Sequence, residues 1–293
     1  MKKKLLIWID RLMDIILIGF MLVVGWIAMQ VFLLTSFRIP SDSMEPTLQA
    51  GDAILVEKWS YGARLFDVFE AAKGKQVEIK RTAGLGKVER GDVVVFNDPC
   101  PNEWRKLEMH LMKYYVKRCV ALPGDTFYIE KGRYRVKGCS EPIGNVQAQE
   151  RFEWLVTRSG EIDPAMMRVY PGGKEHPWTP IEYGPIYLPQ AGDTIKIDRI
   201  MAIRYGDAIE WETGDTLHIE GDCVTLGGRE LKGYRFKKSY YFMTGDRVEN
   251  SRDSRYWGLL PEEFIVGKVW RIWKSVDPFT KKMVWERVGK VVK

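Results

Sequence analysis

Gly91-Asp92-Val93-Val94-Val95-Phe96 is the stretch that decides the fold, because a turn-forming pair leads directly into side chains that favour strands. The same unit recurs along the chain at Gly51-Asp52-Ala53-Ile54-Leu55-Val56, Gly124-Asp125-Thr126-Phe127-Tyr128-Ile129 and Gly192-Asp193-Thr194-Ile195-Lys196-Ile197. The spacing of these units is irregular, so they indicate separate turns entering strands rather than a solenoid repeat. The pattern predicts a mainly antiparallel β protein of folded-over barrel or sandwich type, with a second β region inserted into it.

Helix signals are weak and short in the part of the chain that follows residue 37. Residues 64–72 have the length and composition for two helical turns. Pro and Gly are frequent between Pro142 and Pro189, which indicates loops within the inserted segment. We therefore expect strands and loops to dominate this region.

The N-terminal region predicts a membrane anchor. Residues 15–37 carry no charged side chain, and a helix of this length would span about 35 Å, enough to cross a hydrocarbon core of about 30 Å. Lys2, Lys3, Lys4 and Arg11 precede the span, so the positive-inside rule places the N-terminus in the cytoplasm and the chain after Arg38 outside. A cleavable signal peptide is the rival interpretation, but its apolar core is usually only about 7–15 residues, and Ala28-Met29-Gln30 fits the small-x-small cleavage pattern poorly.

Charge and cysteine content narrow the classes of function. The formal net charge is +6, but no basic run exceeds three residues and no nucleic-acid motif accompanies it. Attraction to anionic lipid headgroups accounts for the charge at least as well, so no nucleic-acid partner is expected. No pair among Cys100, Cys119, Cys139 and Cys223 has CxxC spacing, which argues against a metal site. Disulfides and buried free thiols both remain open for these cysteines.

Ser41 and Ser43 lie between Pro40 and Pro46, where a turn could expose a hydroxyl. A serine nucleophile needs a base, and none of His110, His176 and His218 lies in a recognisable catalytic context. A lysine whose pKa is lowered by burial is the other choice.

Lys117 suits the role of such a base. Strand alternation puts its side chain on the same face as Tyr115 and Cys119, and that face looks internal. An ordinary solvated lysine is the alternative interpretation.

A third candidate region runs from Gly245 to Gly258. Its density of Asp, Asn, Ser and Arg could build a buried hydrogen-bond network beside a site. A solvated surface loop is the alternative, but the ending Tyr256-Trp257-Gly258 favours packing.

The order and combination of these stretches resemble the bacterial type I signal peptidases. The family's nucleophile motif is resembled by Pro40-Ser41-Asp42-Ser43-Met44-Glu45-Pro46-Thr47-Leu48. The family's next motif, a structural one, is resembled by Arg90-Gly91-Asp92-Val93-Val94-Val95-Phe96. The family's general-base motif is resembled by Lys117-Arg118-Cys119-Val120-Ala121-Leu122-Pro123-Gly124-Asp125. Its last motif in chain order is resembled by residues 245–258. The likeness covers the anchor and residues 37–62, 88–98, 113–130 and 240–270.

The resemblance implies a role for each matching position. Ser43 would be the nucleophile and a neutral Lys117 the general base, while the Ser43 backbone N–H and the Ser41 hydroxyl would form the oxyanion hole. The positions expected to orient Lys117 and support the loop are Ser251, Asp246, Asp253, Arg255 and Gly245. The resemblance implies no cofactor and no metal ion.

The resemblance also implies a domain plan and a location. We expect a cytoplasmic N-terminus over 1–14, an anchor over 15–37, a catalytic β domain over 38–126 and 239–293, and an inserted β domain over 127–238. The enzyme would reside in the bacterial inner (plasma) membrane as a single-pass protein with its catalytic domain on the outer, periplasmic face. Its partners would be preprotein signal peptides, the lipid bilayer and the export translocon.

Substrate would bind as an added strand between two extended stretches. The expected lining is apolar, and small pockets in it would select a small residue at the first and third positions before the cut. The lining residues would be Phe37, Ile39, Pro40, Met44, Leu48, Tyr115 and Val116.

The chain departs from the family pattern at several positions. The family often has Asn-Arg-Asp-Asn where this chain has Arg247-Val248-Glu249-Asn250, and Gly is common where Asp42 and Ala121 stand. The alternative function is a catalytically degenerate relative that binds signal sequences or export machinery without cutting, but the presence of Ser43, Lys117 and Ser251 favours an active peptidase. A self-cleaving Ser/Lys repressor would need a DNA-binding domain where the apolar N-terminal segment lies.

Overall fold

The computed structural model describes residues 2–73, 77–100, 106–159 and 164–293. Its α-helices are α1 (Lys2–Phe32), α2 (Val68–Ala72), α3 (Val146–Trp154), α4 (Arg199–Thr213) and α5 (Ser254–Trp257). A π-helical turn covers Leu155–Ser159, and 3-10 turns cover Pro164–Met167, Val248–Asn250, Glu262–Phe264 and Trp285–Arg287. The strands are β1 (Leu34–Arg38), β2 (Asp52–Glu57), β3 (Arg64–Leu65), β4 (Lys80–Arg81), β5 (Val93–Asp98), β6 (His110–Ala121), β7 (Thr126–Glu130), β8 (Arg133–Val136), β9 (Tyr183–Tyr187), β10 (Thr194–Lys196), β11 (Leu217–Glu220), β12 (Cys223–Leu226), β13 (Arg229–Glu230), β14 (Gly233–Arg235), β15 (Tyr240–Thr244), β16 (Leu260–Pro261) and β17 (Ile265–Ser275).

The largest sheet has seven strands in the order β1-β2-β17-β5-β6-β15-β16. Every neighbouring pair in it is antiparallel. Within the described residues the sheet stays open, with β1 and β16 as its edges. The smaller sheets are β8-β7-β9, β10-β14, β11-β12-β13 and β3-β4. The prediction of a mainly antiparallel β protein behind an N-terminal helix is therefore confirmed.

The Gly-Asp units form one recurring turn. Gly51, Gly91, Gly124 and Gly192 all have φ between 89° and 98°, a conformation that costs glycine little because it has no Cβ. The aspartate that follows each glycine accepts a hydrogen bond from the backbone N–H three residues earlier, at 2.7 to 2.9 Å. A strand begins at that aspartate or at the next residue. The prediction that these units are turns entering strands is confirmed.

Strand β5 is buried along its whole length, because both faces of the main sheet are covered. Val94 and Phe96 point into one core cluster, while Val93 and Val95 point into another. A further core cluster surrounds Phe127. It contains side chains from α3 and α4 together with side chains from the C-terminal end of β6 and from β15. This coverage explains why the sequence of β5 is a continuous apolar run rather than an alternating one.

The helices differ in three places from what the sequence predicts. Helix α3 and the π-helical turn after it lie in the segment between Pro142 and Pro189, for which loops were predicted. Over residues 64–72, Arg64 and Leu65 pair with β4, so only α2 is helical. The helix α4, which the sequence did not predict, begins with a cap in which the Met201 N–H donates to the Asp198 carboxylate, and it ends at Gly214 with φ 75°. The buried residues of α4 are Ala202, Tyr205, Ala208 and Ile209, and charged residues lie among them in the sequence. The helical periodicity of apolar residues is therefore weak, and the sequence did not predict this helix.

The apolar N-terminal segment divides between a helix and a strand. Residues Trp8–Phe32 form a helical stretch that is long and apolar enough to cross a membrane; an 18-residue window within it has a mean hydropathy of 2.5, and none of that window is buried in the protein. The uncharged run continues to residue 37, but residues 34–38 pair with β2 instead of extending the helix. The helix therefore ends five residues before the apolar run does.

In the part of the chain that the structure describes, Cys119, Cys139 and Cys223 are free thiols. Cys100 and Cys119 are buried.

Candidate active site

The turn between β1 and β2 carries Ser41 and Ser43. Ile39 fixes its start, because its N–H donates to the Asp52 carbonyl and its carbonyl accepts from the Gly51 N–H. Met44 and Leu48 fix the rest by burying their side chains in the core cluster that also contains Ile54 and Val95. With these neighbours packed inward, Ser43 is left half-buried at the sheet surface.

Lys117 lies in the middle of β6, where it pairs with Val94 of β5. Only 3% of the side chain is exposed. Its Nζ donates a hydrogen bond of 2.6 Å to the Ser43 Oγ. The Tyr115 ring lies with its centroid 5.8 Å from Nζ, and Cys119 on the same face is buried. The predicted internal face of β6 is thus present, and it brings the predicted base to the predicted nucleophile.

Burial lowers the pKa of Lys117 from 10.5 to about 8, because the charged ammonium loses its hydration. Among nearby charges, the Asp253 carboxylate raises this pKa and the Arg255 guanidinium lowers it. Asp253 and Arg255 are themselves a wholly buried ion pair, with Nε to Oδ1 at 2.8 Å. The Asp246 and Asp42 carboxylates also raise the pKa of Lys117, but desolvation is the largest influence and the net direction is downward.

The loop from Gly245 to Gly258 is a buried network rather than a solvated surface segment. The Asp253 carboxylate accepts from the Gly245 N–H at 3.0 Å, and Arg255 Nη2 donates to the Val248 carbonyl at 2.8 Å. Asp246 accepts from Arg118 through both of its oxygens, at 2.7 and 2.6 Å, and from the Thr47 hydroxyl. These contacts tie the loop to both β6 and the nucleophile turn.

Ser251 lies in this network beside Gly245. A Cβ on Gly245 would be 2.2 Å from the Ser251 Oγ and 2.6 Å from the Ser43 carbonyl oxygen, so the three residues are in close contact. The Ser251 Oγ is buried and has no hydrogen-bond partner among the described residues. The bond from Ser251 to Lys117 that the resemblance implies is not among the contacts of the described residues, and the orienting role of Ser251 stays a prediction.

A cleft of about 350 Å³ opens in front of Ser43 and Lys117. Its lining includes most of the residues predicted to bind substrate, namely Phe37, Ile39, Pro40, Met44, Tyr115 and Val116. Leu48 is the exception, since its side chain is fully buried in the core below the cleft. Ser41 lines the cleft beside Ser43, where an oxyanion donor would be needed.

Sequence reasoning missed Arg38, Tyr114 and Arg252, which also line the cleft. The Tyr114 ring packs edge-on against Phe37 with centroids 4.8 Å apart, and both rings line the cleft. Arg252 directly follows Ser251, so its place within the family-like stretch 245–258 was a usable signal. Arg38 and Tyr114 could have been found as chain neighbours of Phe37 and Tyr115.

Comparisons with known proteins converge on one family. The model of the signal peptidase family, peptidase S26, matches residues 11–164 and 186–273. Signal peptidase I of Pseudomonas aeruginosa is 31% identical over 272 residues, covering 88% of this chain and 72% of that protein. Signal peptidase I of Buchnera aphidicola subsp. Schizaphis graminum is 29% identical, covering 84% and 70%, and that of Helicobacter pylori is 26% identical, covering 89% and 86%.

Proposed function

Because the chain belongs to the signal peptidase family, peptidase S26, we propose that it removes N-terminal signal peptides from exported preproteins. In this proposal it is a serine endopeptidase with Ser43 as nucleophile and neutral Lys117 as general base. The observation that carries the proposal is the 2.6 Å hydrogen bond between the Lys117 Nζ and the Ser43 Oγ. The proposal is supported by the burial of Lys117, which lowers its pKa to about 8, so that part of the amine is neutral near neutral pH.

Catalysis begins when the lone pair of neutral Lys117 accepts the hydroxyl proton of Ser43. The Oγ then attacks the scissile carbonyl, and the negative charge that develops on the carbonyl oxygen is held by the Ser43 N–H and the Ser41 hydroxyl. Protonated Lys117 returns its proton to the leaving amine, and the mature protein departs. A water activated by Lys117 then hydrolyses the acyl-enzyme and releases the signal peptide.

The two open strand edges at the cleft support binding of the substrate as an added strand. β1 is an edge strand that pairs only with β2 in the described residues. β15 pairs with β6 at Arg118, Cys119 and Ala121. Around Tyr115 and Val116, the edge of β6 that faces away from β5 is therefore unpaired in the described residues. A peptide between these edges would gain main-chain hydrogen bonds whatever its sequence.

The apolar helix and exposed aromatic residues support a location at the membrane. Trp8–Phe32 is long enough to act as the anchor. Trp270, Trp273, Phe279 and Trp285 are exposed on β17 and the segment after it, and such side chains favour the membrane interface. The lysines before the anchor favour a cytoplasmic N-terminus. In this proposal the catalytic region lies on the outer face of the inner membrane, and the export translocon is a proposed partner.

The sheet topology supports the proposed domain division. Apart from β1, the strands of the main sheet fall within 38–126 and 239–293. Three of the smaller sheets, containing β7 to β14, fall within 127–238, apart from the first residue of β7.

The decisive experiment is cleavage of a preprotein by the purified full chain in detergent, followed by mass spectrometry of the products. We expect cleavage by the wild type and none by Ser43→Ala or Lys117→Ala. Ser239→Ala and Lys113→Ala are matched controls, since both side chains lie away from the cleft. Lys117→Ala activity above about one percent of wild type would contradict the dyad, given the several-decade losses typical of such residues. Binding of the preprotein without cleavage by the wild type would favour the degenerate relative instead.

A further inference from the structure

The residue between the two proposed oxyanion donors is an aspartate, and a second loop binds it. The Asp42 carboxylate forms an ion pair with Arg247 Nη1. It also accepts from Asn250 Nδ2, at 2.9 and 3.2 Å to its two oxygens. The arginine and the asparagine thus approach the carboxylate together, from the loop that contains Asp246.

Arg247 contacts the nucleophile turn at two further points. Its backbone N–H donates to the Ser43 carbonyl at 3.1 Å, and its Nη1 lies 3.4 Å from the Glu45 carboxylate. One residue therefore contacts positions 42, 43 and 45 of the turn. Because a backbone bond and a side-chain bond act together, Arg247 restrains both the position and the orientation of the peptide groups around Ser43.

The loop that carries Arg247 is itself firmly held. Arg118 binds both oxygens of the Asp246 carboxylate, and Asn145 Nδ2 donates to the Asp246 carbonyl at 3.1 Å. Asp253 holds the Gly245 N–H. Exposed ion pairs contribute little by themselves because two mobile side chains must be ordered. Here Arg247 extends from a fixed backbone, and only 34% of its side chain is exposed.

Asp42 creates an electrostatic conflict for the proposed reaction. The transition state develops negative charge on an oxygen between the Ser43 N–H and the Ser41 hydroxyl, and these donors flank the carboxylate of Asp42 in the chain. Like charges at close range raise the free energy of the state that contains both. An aspartate at this position is compatible with fast chemistry only if its charge is offset and its side chain is held away from the cleft.

We infer that Arg247, assisted by Asn250, is a positioning residue for the oxyanion hole. It offsets the charge of Asp42 and holds the turn so that Ser41 and the Ser43 N–H face the cleft. This inference rests on the proposed peptidase activity, and it assigns Arg247 no contact with the substrate.

The test is a double-mutant cycle on kcat and KM for preprotein cleavage, using Arg247→Ala, Asp42→Asn and the double variant. Arg247→Ala should lower kcat roughly tenfold with little change in KM, because the Asp42 carboxylate left without its partner raises the free energy of the negatively charged transition state. In the double variant the unpaired carboxylate is gone, so kcat should recover to within about threefold of wild type. Arg247→Lys should fall between wild type and Arg247→Ala, because it keeps the charge but loses the guanidinium geometry.

Arg151→Ala is the matched control. Arg151 contacts Glu249 on the outer side of the same loop, and 60% of its side chain is exposed, so its loss should leave kcat unchanged. The melting temperature of each variant separates lost positioning from lost folding. Two outcomes would overturn the inference: an unchanged kcat in Arg247→Ala, or losses that simply multiply in the double variant. If Ser43-dependent cleavage persists while Arg247→Ala behaves as wild type, only this inference fails. A wild type that cuts no preprotein would reject the proposed function and the inference with it.

Discussion

Lys117 and Ser43 meet across 2.6 Å, although 74 positions separate them in the chain. One side chain comes from the buried middle of a strand and the other from a turn after an edge strand. The pair therefore exists only when β6 and the β1–β2 turn are both in place, and its properties report on the folded site.

The rate of cleavage should depend on pH through Lys117. Its pKa of about 8 lies below the ordinary 10.5, so a larger share of the amine is neutral near physiological pH. Only the neutral form can accept the Ser43 proton, and activity should fall as pH drops below about 8. The measurement is kcat/KM against pH. A rate that stays flat from neutral to strongly acidic pH would point to another base.

Lys117→Met should abolish cleavage and stabilise the fold. A folded-state pKa below the unfolded value means that the buried ammonium costs up to about 3 kcal/mol of stability while it is protonated in both states. The advantage of methionine should be complete below about pH 8 and shrink as pH rises towards 10.5. Denaturant unfolding in detergent at several pH values measures it. Lys113→Met, at an exposed position on the same strand, should change little, and a pH-independent gain at Lys117 would contradict the stated cause.

Ser41→Ala should lower kcat more than it raises KM, because the hydroxyl would stabilise charge that appears only in the transition state. Loss of one such donor typically costs about a hundredfold to a thousandfold in kcat. Ser41→Thr should be milder, since a hydroxyl remains. Steady-state kinetics on one preprotein distinguish these cases, and an unchanged kcat in Ser41→Ala would exclude Ser41 from the oxyanion hole.

Gly245→Ala should reduce both stability and activity. The added Cβ would lie 2.6 Å from the Ser43 carbonyl oxygen and 2.2 Å from the Ser251 Oγ, so the backbone at Ser43 and the buried serine would both have to shift. Overpacking of this kind typically costs about 1–3 kcal/mol. Gly206→Ala is the control, since nothing lies within 4 Å of that position on α4 and alanine favours helices. A Gly245→Ala variant with the melting temperature and kcat of wild type would show that the site tolerates displacement.

Substrate choice should follow the size of the residues before the cut. The cleft is lined mainly by apolar side chains, including Phe37, Ile39 and Val116, and burying charge or bulk there is unfavourable. We expect small residues at the first and third positions before the cut, since alternate side chains of an added strand point into the enzyme. The test is kcat/KM for substrates varied at these positions. Equal cleavage after Ala, Leu and Lys would refute the pocket even if the dyad held.

The strands were predictable because their signals are local. Each Gly-Asp unit contains both the glycine that the turn conformation requires and the aspartate whose carboxylate closes it. The end of α1 was less predictable, since Leu34 and Phe37 are as apolar as the helix and only pairing with β2 makes them a strand. The long helix α4 was missed because its stability comes from caps and tertiary packing rather than from a strong apolar stripe.

The approach of Lys117 to Ser43 was expected from family resemblance, but the partners of Asp42 were not. The sequence shows Asp42 and Arg247 as two separate departures from the common pattern. That they bind each other across 205 positions is a property of the fold. Burial of Leu48 beneath the cleft is similar, because alternation predicts only the side of a strand and the turn that carries Leu48 is irregular.

The junction between α1 and β1 leaves only Leu33 between helix and strand. Hydrogen bonds cross it, from the Lys58 N–H to the Leu33 carbonyl and from the Lys58 Nζ to the Gln30 carbonyl at 2.7 Å. In the proposed membrane-anchored enzyme, these hydrogen bonds would fix the sheet relative to the membrane helix. The distance between Ser43 and the lipid headgroups would then be constant. As the enzyme diffuses in the plane of the membrane, Ser43 would reach only peptide bonds that lie at this distance from the membrane surface. Where a preprotein is cut would depend on how far its apolar segment holds the bond from the bilayer, as well as on the residues beside the bond.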